Sequence, residues 1–280
     1  MHLDEVVFER HGAVAEIVLN RPGALNAITA RPGGMRDQLV HALSLAEQDP
    51  AVGCVLVRGE GRSFCAGGDL TGNPQRKRPA DDFRFLEEVD GFHRRFRTST
   101  LPVLAAVHGH CLGAGLTLAA SCDLVLASAS ARFGFPEARL GLVGASAIVT
   151  MVGRQWAKFL MITGEVLTAE QARQIGLVLT VEPDAELLDR ARDLASRIAR
   201  LPREAVLLNR RCIDAVADAA GDSAARVTSI AYDAVTASMA AWVTAPDGRT
   251  FRSIIEAEGM EGLKAARDAQ FREPWLRSPR

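Results

Sequence analysis

Pro102-Val103-Leu104-Ala105-Ala106-Val107-His108-Gly109-His110-Cys111-Leu112-Gly113-Ala114-Gly115-Leu116-Thr117 decides how the rest of the chain is read. Its first six residues form an apolar run without alternation, which suits a strand buried on both faces. Gly109, Gly113 and Gly115 then make a tight turn, and an apolar helix follows from about Leu116. Upstream, Cys54 to Val57 is a second continuous apolar run, followed by a glycine-rich loop from Gly59 to Gly72 and a charged helix over Asp81 to Arg97. Downstream, Asp123 to Ala127 reads as strand again. Strand, loop and helix recurring at roughly 45-residue intervals predict an α/β fold of stacked right-handed crossover units.

The flanks extend this pattern. Val6 to Asn20 reads as two short strands around His11-Gly12. Met35, Leu39, Leu43 and Ala46 recur at helical spacing, and Asp49-Pro50 ends that helix. From Asp184 to Met239 the apolar positions are helical in period, with Leu187, Leu188, Ala191, Leu194, Ala195 and Ile198 in one stripe. Another helix is expected from about Gly259 to Phe271. Leu201-Pro202 punctuates the change, so the chain is divided into an α/β core over 1–202 and a helical region over 203–280.

Bulk composition excludes several partner classes. A chain of 280 residues that is 48% hydrophobic can bury a large core. A formal net charge of -1 gives no basic excess for nucleic acid. No apolar run approaches the ~18 residues of a membrane span. Charged residues at Asp4, Glu5, Glu9 and Arg10 argue against a signal peptide. Five widely spaced cysteines suit reduced thiols in a cytoplasm. No metal site is expected: His108-Gly109-His110 has no partner ligands at helical spacing, and there is no C-x-x-C pair.

Three segments carry chemistry when read together. Gly61-Arg62-Ser63-Phe64-Cys65-Ala66-Gly67-Gly68-Asp69-Leu70 follows a buried strand with small residues that admit a ligand close to the backbone. His108 to Thr117 also follows a buried strand, and its unpaired N–H groups at a helix start suit a developing oxyanion. Phe133-Gly134-Phe135-Pro136-Glu137 sets a carboxylate in a loop beside aromatic rings, which raises its pKa towards proton-transfer duty.

In their order and spacing these segments resemble the crotonase, or enoyl-CoA hydratase/isomerase, family over nearly the whole chain. Arg21-Pro22-Gly23-Ala24-Leu25-Asn26-Ala27 is similar to that family's early CoA-contacting loop, and Ser63 to Leu70 to its first oxyanion motif. Ala106 to Thr117 is similar to its second oxyanion motif, and Phe133 to Glu137 to the loop of its catalytic glutamate. Thr163-Gly164 and Ala169 to Val178 resemble a later family segment. The resemblance implies a crotonase-like spiral of ββα units with a helical C-terminal trimerisation region, assembled as a homotrimer or dimer of trimers. It implies an acyl-CoA thioester as partner, in fatty acid metabolism, with an enolate held at the thioester carbonyl. No cofactor is implied, since coenzyme A is part of the substrate. By position, the backbone N–H groups of Gly68 and Ala114 form the oxyanion hole and Glu137 is the acid/base. Ala24, Leu25, Ala66, Gly67, Leu70 and Thr117 line the substrate path.

Two departures bear on the reaction. Hydratases of the family use two glutamates, and Thr117 occupies the position of the first. Gly144-Ala145-Ser146-Ala147-Ile148 replaces a glycine-rich stretch, and Ile148 is expected to narrow the pocket or reroute a helix start. With one carboxylate, isomerisation, C–C hydrolysis of a cyclic keto-acyl-CoA and weak hydration are the expected reactions. A catalytically silent acyl-CoA-binding protein is the alternative, and retention of Glu137 counts against it. Arg76, Lys77 and Arg78 either meet CoA phosphates or form a solvated basic loop.

Overall fold

The computed structural model describes residues 1–71, 78–143, 148–239, 242–271 and 273–276. The chain opens with an antiparallel hairpin, β1 (Val6–His11) and β2 (Val14–Leu19), and continues through α1 (Met35–Gln48), β3 (Cys54–Gly59) and α2 (Pro79–Arg97). It then runs through β4 (Val103–Val107), β5 (His110–Leu112), α3 (Ala114–Ala120), β6 (Leu124–Ser128) and β7 (Arg132–Gly134). A 3-10 turn (Pro136–Leu140), α4 (Val149–Thr163), β8 (Val166–Thr168), α5 (Ala169–Gln174) and β9 (Thr180–Glu182) complete the sheets. Four helices follow: α6 (Leu187–Ile198), α7 (Arg203–Ala219), α8 (Asp222–Met239) and α9 (Phe251–Asp268).

The strands form two sheets. The larger has the order β1-β2-β3-β4-β6-β9, parallel from β2 onward, and the smaller β5-β7-β8. The central strands β3, β4 and β6 are largely apolar on both faces because both are covered. Val55, Val57, Val103, Ala105 and Val107 face the central core with α1. Cys54, Leu56, Leu104 and Ala106 face Leu187, Ala191 and Ala195 of α6. This period-two split is why these strands look uniformly hydrophobic in sequence.

The second layer positions the site. Cys65 bridges Cys111 in parallel, and β5 pairs in parallel with β7 through Cys111 and Phe133. The loop after Cys65, the turn after β5 and the turn after β7 therefore leave neighbouring tracks on the same side.

Two helical boundaries differ from expectation. The helix placed at about Leu116 begins at Ala114. The helix placed from Gly259 begins at Phe251, where the Thr250 hydroxyl accepts from Ser253 N–H. Gly259 lies inside it at φ 67°, a break that mimics a start in sequence. Among the described residues no helix is long and apolar enough to cross a membrane.

Candidate active site

Two backbone loops abut at the top of the second layer. Residues 25–28 run beside 66–69: Ala66 N–H donates to Leu25 O (3.0 Å), Ile28 N–H to Gly67 O (2.9 Å) and Asp69 N–H to Ile28 O (2.9 Å). Arg21 fastens the pair, donating to Ala27 O (2.5 Å) and bridging Asp69 (3.0 Å). Asn26, fully buried at φ 56°, accepts from Arg21 N–H (2.8 Å) and donates to Glu60 O (2.9 Å) and Ser63 O (2.7 Å). Ala24, Leu25, Ala66, Gly67, Gly68 and Leu70 are thus brought together, and Ala24, Gly68 and Leu70 are exposed. The structural weight of Asn26 escaped the sequence reading, because its pattern marks only a turn.

The segment from Ala106 to Thr117 packs against the one from Ser63 to Leu70. A Cβ at Gly115 would meet Cys65 O (2.6 Å) and Sγ (2.7 Å), so glycine alone lets α3 close on that strand. A Cβ at Gly67, whose φ is +117°, would lie 3.3 Å from Leu112 O and 4.0 Å from Ala114 N. Among the described residues neither Gly68 N–H nor Ala114 N–H donates to a protein acceptor. His93 of α2 is buried and donates from Nε2 to Ala114 O (3.2 Å). Burial pushes its pKa down to about 4, so the imidazole is neutral.

Glu137 completes the group from the 3-10 turn. Its Oε2 is inaccessible and has no hydrogen-bond partner. Burial raises its pKa to about 7, with the charge of Asp233 adding to it and Arg267 opposing. Phe133 and Phe135 do not enclose it as expected; both rings lie in the central core and neither lines the cavity. The carboxyl sits against Gly113 (φ +53°), where a methyl group would collide with Oε1. Gly113→Ala is therefore expected to displace Glu137 and lower turnover by roughly 10²-fold, with the protein still folded. Wild-type rates from a folded Gly113→Ala protein would contradict this geometry.

A cavity of about 180 Å³ lies between α2, α3 and α8, bounded by Ala114, Thr117 and Glu137 at one end and by Arg97 and Arg226 elsewhere. The Thr117 hydroxyl donates to Gly113 O (3.2 Å) along its own helix.

The family profile described as Enoyl-CoA hydratase/isomerase matches residues 9–245. The chain belongs to the enoyl-CoA hydratase/isomerase family. It is 36% identical over 202 residues to the 2,3-dehydroadipyl-CoA hydratase of Escherichia coli (strain K12), covering 71% of this chain and 77% of that one. It is 34% identical over 219 residues to the short-chain-enoyl-CoA hydratase of Clostridium acetobutylicum, covering 76% and 82%. An enoyl-CoA hydratase/isomerase structure from Xanthobacter autotrophicus Py2 superposes with a TM-score of 0.85 at 26% identity, covering 97% of this chain and all of that one.

Against this family frame, some sequence expectations shift. Ile148 is buried in the central core and does not line the cavity. Gly144 to Ala147, Arg76 and Lys77 lie outside the described residues. Arg78 pairs with Asp81 (2.8 Å). Glu9, His11 and Glu16 bring three ligand atoms within 4.8 Å of one another. Arg58 (3.1 Å) and Arg192 (2.5 Å) already neutralise Glu16, so that group has no call for a cation. The cavity walls from α8, namely Arg226, Ser229, Ile230 and Asp233, were not foreseen. Their sequence signal was a helix whose polar stripe points at another helix.

Proposed function

We propose that this chain binds an acyl-CoA thioester with its carbonyl between the N–H groups of Gly68 and Ala114, and that Glu137 moves a proton at C2 of the resulting enolate. The observation that carries this is the enclosed Glu137 carboxyl, with an unpartnered Oε2 and a pKa near 7, in the wall of the same cavity as Ala114 and Thr117. A silent binding protein has no use for a carboxyl held at that cost. Coenzyme A enters as part of the substrate, and no separate cofactor is proposed. Exposed Leu208, Ile213, Val216, Val227 and Trp242 on and after α7 and α8 support assembly into a trimer.

The reactions that fit one carboxylate are a double-bond shift and hydrolysis of a cyclic keto-thioester. In a double-bond shift Glu137 removes a proton from C2 and returns it to C4, so it starts ionised. In C–C hydrolysis it takes a proton from the attacking water and returns it to C2 of the enolate that leaves, so it again starts ionised; in hydration it delivers a proton to C2 and the attacking water sheds its own to solvent, so it starts protonated. The relatives named as hydratases favour hydration as the second reading. Thr117 weighs against fast hydration of simple chains, because a hydroxyl that donates to Gly113 O holds water but is a poor base.

The pH dependence separates these. With Glu137 near 7, isomerisation of 3-butenoyl-CoA should rise through pH 7 and level off above it, whereas hydration of crotonyl-CoA should fall through the same region. Thr117→Glu supplies a second carboxylate and should raise crotonyl-CoA hydration by roughly tenfold or more. Wild-type hydration at ordinary enzyme rates, ~10 s⁻¹ or faster, with no gain from Thr117→Glu, would return the chain to the plain hydratases.

A further inference from the structure

Backbone dipoles stabilise a developing charge only when they already point at it. The two N–H groups assigned to the thioester oxygen are held in different ways. Gly68 lies in a loop laced to residues 25–28: Ile28 N–H donates to Gly67 O and Asp69 N–H to Ile28 O, both at 2.9 Å. Around Ala114 the strand bonds stop one residue earlier, where Gly113 N–H donates to Gly134 O (3.0 Å). Gly113 turns the chain at φ 53°, ψ -123°, and Ala114 opens α3 with no side-chain cap.

A side chain from α2 reaches this residue instead. His93 Nε2 lies 3.2 Å from Ala114 O, 21 positions further along the chain. α2 buries Phe92, His93 and Phe96 together, and the His93 ring lies 4.7 Å from that of Phe92. The two phenylalanines join the central core, whereas His93 lines the cavity with Ala114, Thr117 and Glu137. A third apolar side chain would fill the position without needing a partner, while a buried imidazole costs stability unless it is hydrogen-bonded. With its pKa near 4 the ring is neutral, so it brings one N–H and no charge to the site. Its other backbone contact is Val89 O, one turn back on its own helix.

We propose that His93 is a positioning residue for the oxyanion hole: its Nε2–H, bonded to Ala114 O, fixes the first turn of α3 so that the Ala114 N–H points at the thioester oxygen. This rests on the thioester lying at Gly68 and Ala114. The carbonyl and the N–H of Ala114 are separated by two soft dihedrals alone. Anchoring the one therefore steers the other. A hydrogen bond weakens steeply as its donor turns away, and a misplacement of about 1 Å can cost ~10² in rate. Binding of the CoA portion, remote from the carbonyl, is left almost untouched.

Three variants separate the bond from the bulk. Glutamine puts an amide N–H near the place of Nε2, asparagine near that of Nδ1, and leucine offers neither. The probe is butyryl-CoA labelled with carbon-13 at the thioester carbonyl, read by infrared difference spectroscopy, beside turnover of 3-butenoyl-CoA and crotonyl-CoA. In the wild type the bound carbonyl stretch should lie below its value in solution. His93→Gln should keep that band and most of the turnover. His93→Leu and His93→Asn should move the band back towards the solution value and lower kcat by roughly 10- to 100-fold, with butyryl-CoA affinity nearly unchanged. Wild-type kcat and an unmoved band in His93→Asn, or in a folded His93→Leu, would overturn the proposal and leave His93 as core packing. Equal loss in His93→Gln and His93→Asn would overturn it too, because the shape of the ring and not its Nε2–H would then matter. A wild-type band at the solution value would instead remove the thioester reading on which the proposal rests.

Discussion

Glu137→Gln is expected to lower turnover by ~10² or more and, above pH 7, to make the protein harder to unfold. The two effects share a cause. The carboxyl is shut away with one oxygen unpartnered, and burial holds its pKa near 7 against an ordinary 4.5. Between those values the native chain keeps a proton that the unfolded chain releases. That stabilisation is fully present below pH 4.5 and is lost as pH rises through 7. At one pKa unit per 1.36 kcal/mol, the ionised native protein forgoes up to about 3 kcal/mol. Glutamine cannot ionise, so the variant should melt later than wild type at pH 8 and show no such gain at pH 4. Melting curves at the two pH values, beside turnover of the best substrate, check both halves. A variant with wild-type turnover would move the chemistry away from Glu137. Equal melting at pH 8 would mean that the carboxyl ionises without penalty.

Gly68→Pro should cost ~10²–10³ in turnover, while Gly68→Ala should cost little. Proline removes the N–H that is assigned to the thioester oxygen. Alanine keeps it, and a Cβ at Gly68 meets nothing within 4 Å. The pair therefore separates loss of a donor from loss of a glycine. Saturation kinetics of both variants, with circular dichroism to confirm folding, is the measurement. A folded proline variant with full turnover would strike Gly68 from the oxyanion hole.

The sequence was most legible where residue type and backbone demand coincide. Continuous apolar runs at Cys54 to Val57 and Pro102 to Val107 announced strands covered on both faces, and both faces are covered. Gly113 and Gly115 marked a tight helix start, and each is a glycine because a side chain there would strike Glu137 or Cys65. What stayed hidden depends on distant partners. Asn26 reads as turn punctuation until its amide is seen bonding Glu60 O and Ser63 O. His93 reads as one more polar residue of a charged helix until its ring meets Ala114 O. The wall from α8 lies some hundred residues beyond the motifs. Its inward polar stripe has the same helical period as an ordinary solvent-facing one, so periodicity alone assigns it to the wrong side.

Two residues past Glu137, Arg139 is almost wholly enclosed. It bonds Thr163 O (3.1 Å), pairs with Glu165 (3.1 Å) and Asp268 (3.2 Å), and lies 4.1 Å over the Phe271 ring. Glu165 in turn accepts from Trp275 N–H (3.1 Å). The brace on the turn that carries Glu137 is thus completed by residues more than a hundred positions further along the chain. The strands of both sheets end by Glu182 and can assemble while those residues are still being made. A chain cut before Asp268 can therefore hold the fold of the core without a seated Glu137.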